Sequence, residues 1–143
     1  MENYLKNLLG SQITGISRVC DLASIEFTTR DGEKINLHVQ TFFRFVSDDR
    51  ILLSSEDMYR CDASFDVSTF EWDVPGKSLY DVTVHKVFDW IGSTIVSDIK
   101  KMKTNDLIIS FQNGLQLQIF INSVFSEEKY RAFDDTNSYE IYS

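Results

Sequence analysis

Apolar and polar residues alternate through Ile25 and Phe27, then through Ile35, Leu37 and Val39. The same pattern returns in Leu107 and Ile109, and in Leu117, Ile119 and Ile121. Strict alternation sends successive side chains to opposite faces, so each run predicts a strand with one buried face. The turns follow from register. A two-residue Asp31-Gly32 turn would pair Thr28 with Ile35 and drive Glu26 and Thr28 onto the apolar side. A three-residue Arg30-Asp31-Gly32 loop instead pairs Phe27 with Ile35 and Ile25 with Leu37. It keeps the faces aligned and puts glycine where a bulged turn needs positive φ. Gln112-Asn113-Gly114 does the same for Ile109 with Leu117 and Leu107 with Ile119.

The halves also match outside these hairpins. Gly10-Ser11 falls on Gly92-Ser93, Ile13 on Ile95, Gly32 on Gly114 and Phe43 on Phe125. An internal duplication constrains architecture more than local propensity does. In the first copy, Asn3 can cap a short helix carrying Leu5, Leu8 and Leu9, ended by Gly10. In the second, Ser78 and Asp81 have capping-box spacing, the apolar pattern runs from Leu79 through Val82, Val87 and Phe88 to Ile91, and Gly92 closes the helix. A strand is predicted after each glycine, over 13–20 and 94–102. Another is predicted over 42–46, followed by a turn into Ile51-Leu52-Leu53, with a more polar counterpart over 125–133.

The expected fold is therefore α+β: antiparallel sheets from two pseudo-repeated helix-then-β-meander units, with two main helices. One domain spans 1–143, with repeats at about 3–46 and 78–133 and a connector over 46–77. Residues 56–76 carry no usable pattern.

Composition adds a core and a field. With 43% hydrophobic residues and 11 phenylalanines in 143 residues, the chain can bury a substantial interior. The net charge is −8, and it is concentrated. Between 46 and 73 stand Asp48, Asp49, Glu56, Asp57, Asp62, Asp66, Glu71 and Asp73, against only Arg50 and Arg60. Such a field repels nucleic acid and anionic lipid and attracts a basic protein. The N-terminus has no basic region followed by a long apolar run, so no signal peptide and no membrane span are expected. Cys20 and Cys61 lack metal-ligand spacing and fit a cytoplasmic, reducing setting.

Candidate chemistry is sparse. His38 shares the polar side of its strand with Asn36 and Gln40, diagonal to Glu26, and a His–Glu pair could orient an imidazole for base work. No nucleophile is tied to it, and an exposed strand histidine is the better account; His85 reads as a solvent-facing or boundary helix residue. Pro75-Gly76-Lys77-Ser78 ends like a phosphate-binding loop, but the glycine that motif needs earlier is Glu71. Neither Asp48-Asp49 nor Glu56-Asp57 follows calcium-loop spacing. No cofactor or metal is expected. The copies differ where the first carries Glu26 and His38 and the second Ile108 and Phe120. The second sheet's outer face is thus partly apolar, either covered by the longer helix or open to another chain.

The runs 37–44 (Leu-His-Val-Gln-Thr-Phe-Phe-Arg), 50–55 (Arg-Ile-Leu-Leu-Ser-Ser), 106–111 (Asp-Leu-Ile-Ile-Ser-Phe) and 113–120, with Tyr130-Arg131, resemble a pattern in a family of small bacterial proteins of unknown function. Some similar acidic proteins belong to toxin–immunity loci, which implies an inhibitor of immunity type and transfers no site residue. Two functions remain. One is a non-enzymatic interaction module using Asp48, Asp49, Glu56, Asp57, Ile108 and Phe120 on a basic protein partner, with a homodimer open to it. The other is a small-ligand site or enzyme at Glu26, Asn36, His38 and Gln40.

Overall fold

The computed structural model describes residues 2–142. Two five-stranded antiparallel sheets pack face to face. Sheet A has the order β1-β2-β3-β9-β10 and sheet B the order β5-β4-β8-β7-β6. The first half supplies β1 (Gln12–Val19), β2 (Leu22–Thr28), β3 (Lys34–Val39), β4 (Phe42–Ser47) and β5 (Arg50–Ser54). The second supplies β6 (Val96–Lys101), β7 (Leu107–Phe111), β8 (Leu115–Phe120), β9 (Tyr130–Phe133) and β10 (Ser138–Ile141). Each sheet is a three-strand meander from one half completed by a hairpin from the other. The two crossings lie side by side: Thr41 Oγ1 donates to Phe120 O at 2.7 Å, and Gln40 N to Lys129 O at 2.8 Å.

The hairpin registers are those the pattern predicts. Phe27 faces Ile35, Ile25 faces Leu37, Ile109 faces Leu117 and Leu107 faces Ile119. Gly32 and Gly114 sit at φ +82° and +90°, which a side chain resists. The inward rows Ile25, Leu37, Phe43, Phe45, Leu107, Leu117 and Ile119 are fully buried and form the common core.

The expected α+β class with two main helices is overturned: among the described residues only α2 (Leu79–Ile91) is a full helix, beside two sheets. The N-terminal segment is a four-residue α1 (Glu2–Leu5) running into a 3-10 turn, Lys6–Leu8. A segment this short cannot recover its nucleation cost as an independent helix. Leu5 and Leu8 plug the core instead, while Leu9 is 46% exposed. The predicted cap at Asn3 lies outside the described side chains. The helix-then-meander plan fails for a related reason: each sheet's apolar face is covered by the other sheet, so no helix is needed there. The first-copy strand runs as predicted to within a residue, its second-copy counterpart is shorter, and the strand expected over 125–133 is confined to β9.

Helix α2 forms as its caps dictate. Ser78 Oγ accepts from Asp81 N at 3.1 Å, Asp81 closes the capping box, and Gly92 takes φ +57°. It packs on β5, β1 and the 3-10 turn Ser55–Tyr59. Residues 60–77 form turns around Val67–Thr69. No described helix is long and apolar enough to cross a membrane.

Candidate functional site: the outer face of sheet B

Because β4 pairs with β8, outward residues from both halves of the chain share one surface. Phe42 stands opposite Phe120 and Arg44 opposite Gln118, with Ile108 on the far side of Gln118. The Phe42 and Phe120 rings are 5.9 Å apart, and the Arg44 guanidinium lies 5.5 Å from the Phe120 ring centre. Arg44 Nε donates to Gln118 Oε1 at 2.8 Å, Gln118 Nε2 to Gln116 Oε1 at 2.8 Å, and Gln116 Nε2 to Ser110 Oγ at 3.2 Å. This ladder runs between the apolar residues of a half-buried surface. Helix α2 packs on β1 and β5, so it is not the cover that sequence reasoning offered for this face.

Acids stand at the margins of this surface. Asp48 and Asp49 make the tight β4–β5 turn, with Asp48 at φ +45°. They border a recess of about 280 Å³ with Arg44, Val46, Arg50, Ile51 and Gln118. Ile51 is 55% exposed there. Glu56 lies beyond the other end of β5, about 20 Å away at strand rise, and borders a small recess with Phe42 and Gln40. Asp57 is committed to structure: its Oδ2 accepts from Ser54 N at 2.9 Å as a cap. Of the six predicted partner-binding residues, Ile108 and Phe120 lie on this face, Asp48 and Asp49 at the β4–β5 turn and Glu56 beyond the far end of β5, while Asp57 serves as a cap.

The four predicted ligand-binding residues lie toward the outer side of sheet A but do not converge. Glu26 faces Asn36 across the ladder, while His38 faces Ser24. Glu26 is held by Thr14 Oγ1 at 2.7 Å and Lys34 Nζ at 3.2 Å, bonds that lower its carboxyl pKa. His38 packs edge-on to Phe133 at 4.7 Å, and its pKa is lowered by burial and by Arg131, against a smaller opposing pull from Glu128. Gln40 Nε2 donates to Glu128 at 3.3 Å. The recess on this side, about 540 Å³, takes in Asn36 and Phe133 but not Glu26, His38 or Gln40. A larger polar cleft of about 870 Å³ opens where the β2–β3 and β9–β10 turns approach the start of β6. Among the described residues no three His, Cys, Asp or Glu side chains are gathered as a metal site requires.

Sequence reasoning missed the buried ion pair of Arg18 with Asp81, in which both side chains are largely enclosed. Arg18 Nε and Nη2 reach the two carboxylate oxygens of Asp81 at 2.7 and 2.8 Å, and Nη2 also donates to Trp72 O at 2.7 Å. The signal was legible: Arg18 follows Ile16 at the inward phase of β1, where a charge must find a partner. Comparison with protein-family models, curated proteins and solved structures finds no match.

Proposed function

We propose that this protein is a non-enzymatic cytoplasmic interaction module that binds a basic protein partner through the outer face of sheet B, as an acidic inhibitor of immunity type would. The observation that carries the reading is the set of half-buried apolar residues Phe42, Phe120, Ile108 and Val46 on one sheet face, with Asp48, Asp49 and Glu56 at its margins. Apolar anchors supply most of the affinity in such an interface, and acidity speeds encounter with a basic surface. The net charge of −8 extends that field over the molecule. Free thiols at Cys20 and Cys61 suit a reducing compartment.

The test is capture of the partner from the native cell by wild type, by Phe120→Asp, and by the combined Asp48→Asn, Asp49→Asn, Glu56→Gln variant, across a salt series. Phe120→Asp should lose the partner at every salt concentration. The amide variant should bind more weakly at low salt and show a shallower salt dependence. Equal capture by all three throughout the series overturns the reading. Sedimentation of wild type beside Phe120→Asp addresses a homodimer on the same face; a monomer in both rejects it.

A further inference from the structure

A sheet edge left open invites pairing by another chain, and proteins protect such edges with cover or charge. Three of the four edges here are protected. Helix α2 packs on β5, α1 packs on β10, and β6 carries Asp98, Lys100 and Lys101. The first strand differs. Helix α2 also touches the first strand, but no main-chain hydrogen bond joins the two among the described residues. The start of the strand is fastened to β6, with Gln12 bridging Ile95 and Val96 N donating to Ser11 O at 2.8 Å. A bulge between Ile13 and Gly15 follows. Beyond it, among the described residues, the main chain of 16–19 is laddered to β2 alone. The one charged residue on that stretch, Arg18, is neutralised by Asp81.

Helix α2 runs beside this open edge and leaves a groove of about 380 Å³. Five consecutive residues, 16–20, line one wall. Neighbouring strand residues point to opposite faces, so a groove that touches all of them follows the edge and not a face. Tyr80, Val84 and His85 line the other wall, with Asp73 and Pro75 beside them. Val19, 73% exposed, stands on the strand wall.

We propose that this groove receives an extended segment of a partner protein as an added strand on β1, with aliphatic side chains against Ile16 and Val84 and basic side chains toward Asp73. In strand addition, main-chain hydrogen bonds supply affinity and alternate side-chain contacts supply specificity. Charge chooses the occupant. Asp73 has no side-chain partner among the described residues, no lysine lines the groove, and its only arginine is paired. The groove shares no residue with the outer face of sheet B, so it is a second surface, independent of the reading above.

The test uses a random seven-residue peptide library displayed on phage and selected against the full chain carrying Cys61→Ser. Selected peptides should alternate aliphatic and basic residues and slow amide exchange at 16–19. Cys20 is exposed and lines the groove. Its alkylation with a bulky maleimide should weaken binding by at least about tenfold, with circular dichroism confirming that the fold persists. Backbone N-methylation of the peptide leaves the protein untouched. Methylation at one alternate set of positions should abolish binding, and at the other set should not. No enrichment, binding indifferent to Cys20 alkylation, or equal tolerance of both methylation sets overturns the proposal.

Discussion

The Arg18–Asp81 pair should be costly to break from one side. The two side chains are only 6% and 12% exposed, and they meet in a two-pronged geometry at 2.7 and 2.8 Å. Removing one partner of such a pair leaves the other charge buried, at about 3–5 kcal/mol. The structure moderates both losses. Arg18→Met leaves Asp81 with Gly76 N at 3.0 Å and Ser78 N at 3.4 Å. Asp81→Asn leaves the guanidinium with Trp72 O and Cys20 O. We therefore expect about 3 kcal/mol for each single variant, a large share of a total stability of about 5–15 kcal/mol. In urea this is a midpoint shift of about 1.5–2 M.

The double variant should cost less than the sum by about 1–3 kcal/mol, since each single loss includes the stranded partner. A pH series adds a second readout. Burial pushes the Asp81 carboxyl up, but the hydrogen bond and charge of Arg18, with the Ser78 cap, outweigh it and hold it below its ordinary value. A group depressed on folding contributes fully above the unfolded carboxyl value of about 3.9 and loses that contribution as pH falls through the folded value. The Arg18 guanidinium, raised chiefly by its hydrogen bond to Asp81, matters only at extreme alkalinity. Wild type should thus lose in acid a stabilisation that Asp81→Asn never had. Single variants costing under about 1 kcal/mol and additive in the double would refute the argument.

Tyr80 is 1% exposed and its hydroxyl has no partner among the described residues, so Tyr80→Phe should stabilise the fold by about 1 kcal/mol and raise the denaturation midpoint; a loss of that size would mean the hydroxyl is satisfied. Gly32→Ala and Gly114→Ala both force a side chain into the left-handed region, at about 1–2 kcal/mol. Gly114→Ala should cost more, because its new Cβ would lie 3.1 Å from Asp48 Oδ1 whereas that of Gly32 meets nothing; equal midpoints in thermal melts would contradict this. Leu117→Ala empties a fully buried site on the inner face of sheet B and should cost about 2–5 kcal/mol by urea titration, with less indicating that the core collapses into the gap.

Of the candidate site, Ile108 and Phe120 were legible as apolar residues at outward positions, and Asp48-Asp49 as an acidic turn. That they border one surface was not, because Phe42, Arg44 and Val46 reach it only through the β4–β8 pairing. His38 illustrates the converse. Its diagonal relation to Glu26 was readable from register, yet the neighbour it meets is Phe133 on β9, a strand far along the chain. The sheet A residues were therefore placed correctly on a strand face and given the wrong company.

Read alone, the chain determines its short-range geometry. Period-2 alternation and the position of each glycine set both hairpin registers, and Ser78, Asp81 and Gly92 set the ends of α2. These are contacts within a few residues, where side-chain direction and turn chemistry leave one consistent answer. What covers each apolar face was decided by tertiary structure. Alternation says that a face must be buried but not by what, and a second sheet serves as well as a helix. The exchange of hairpins between halves, the insertion of Leu5 and Leu8 into the core, and the meeting of Arg18 with Asp81 all join residues distant in sequence. Such contacts are chosen by shape and charge across the folded molecule, which no local pattern records.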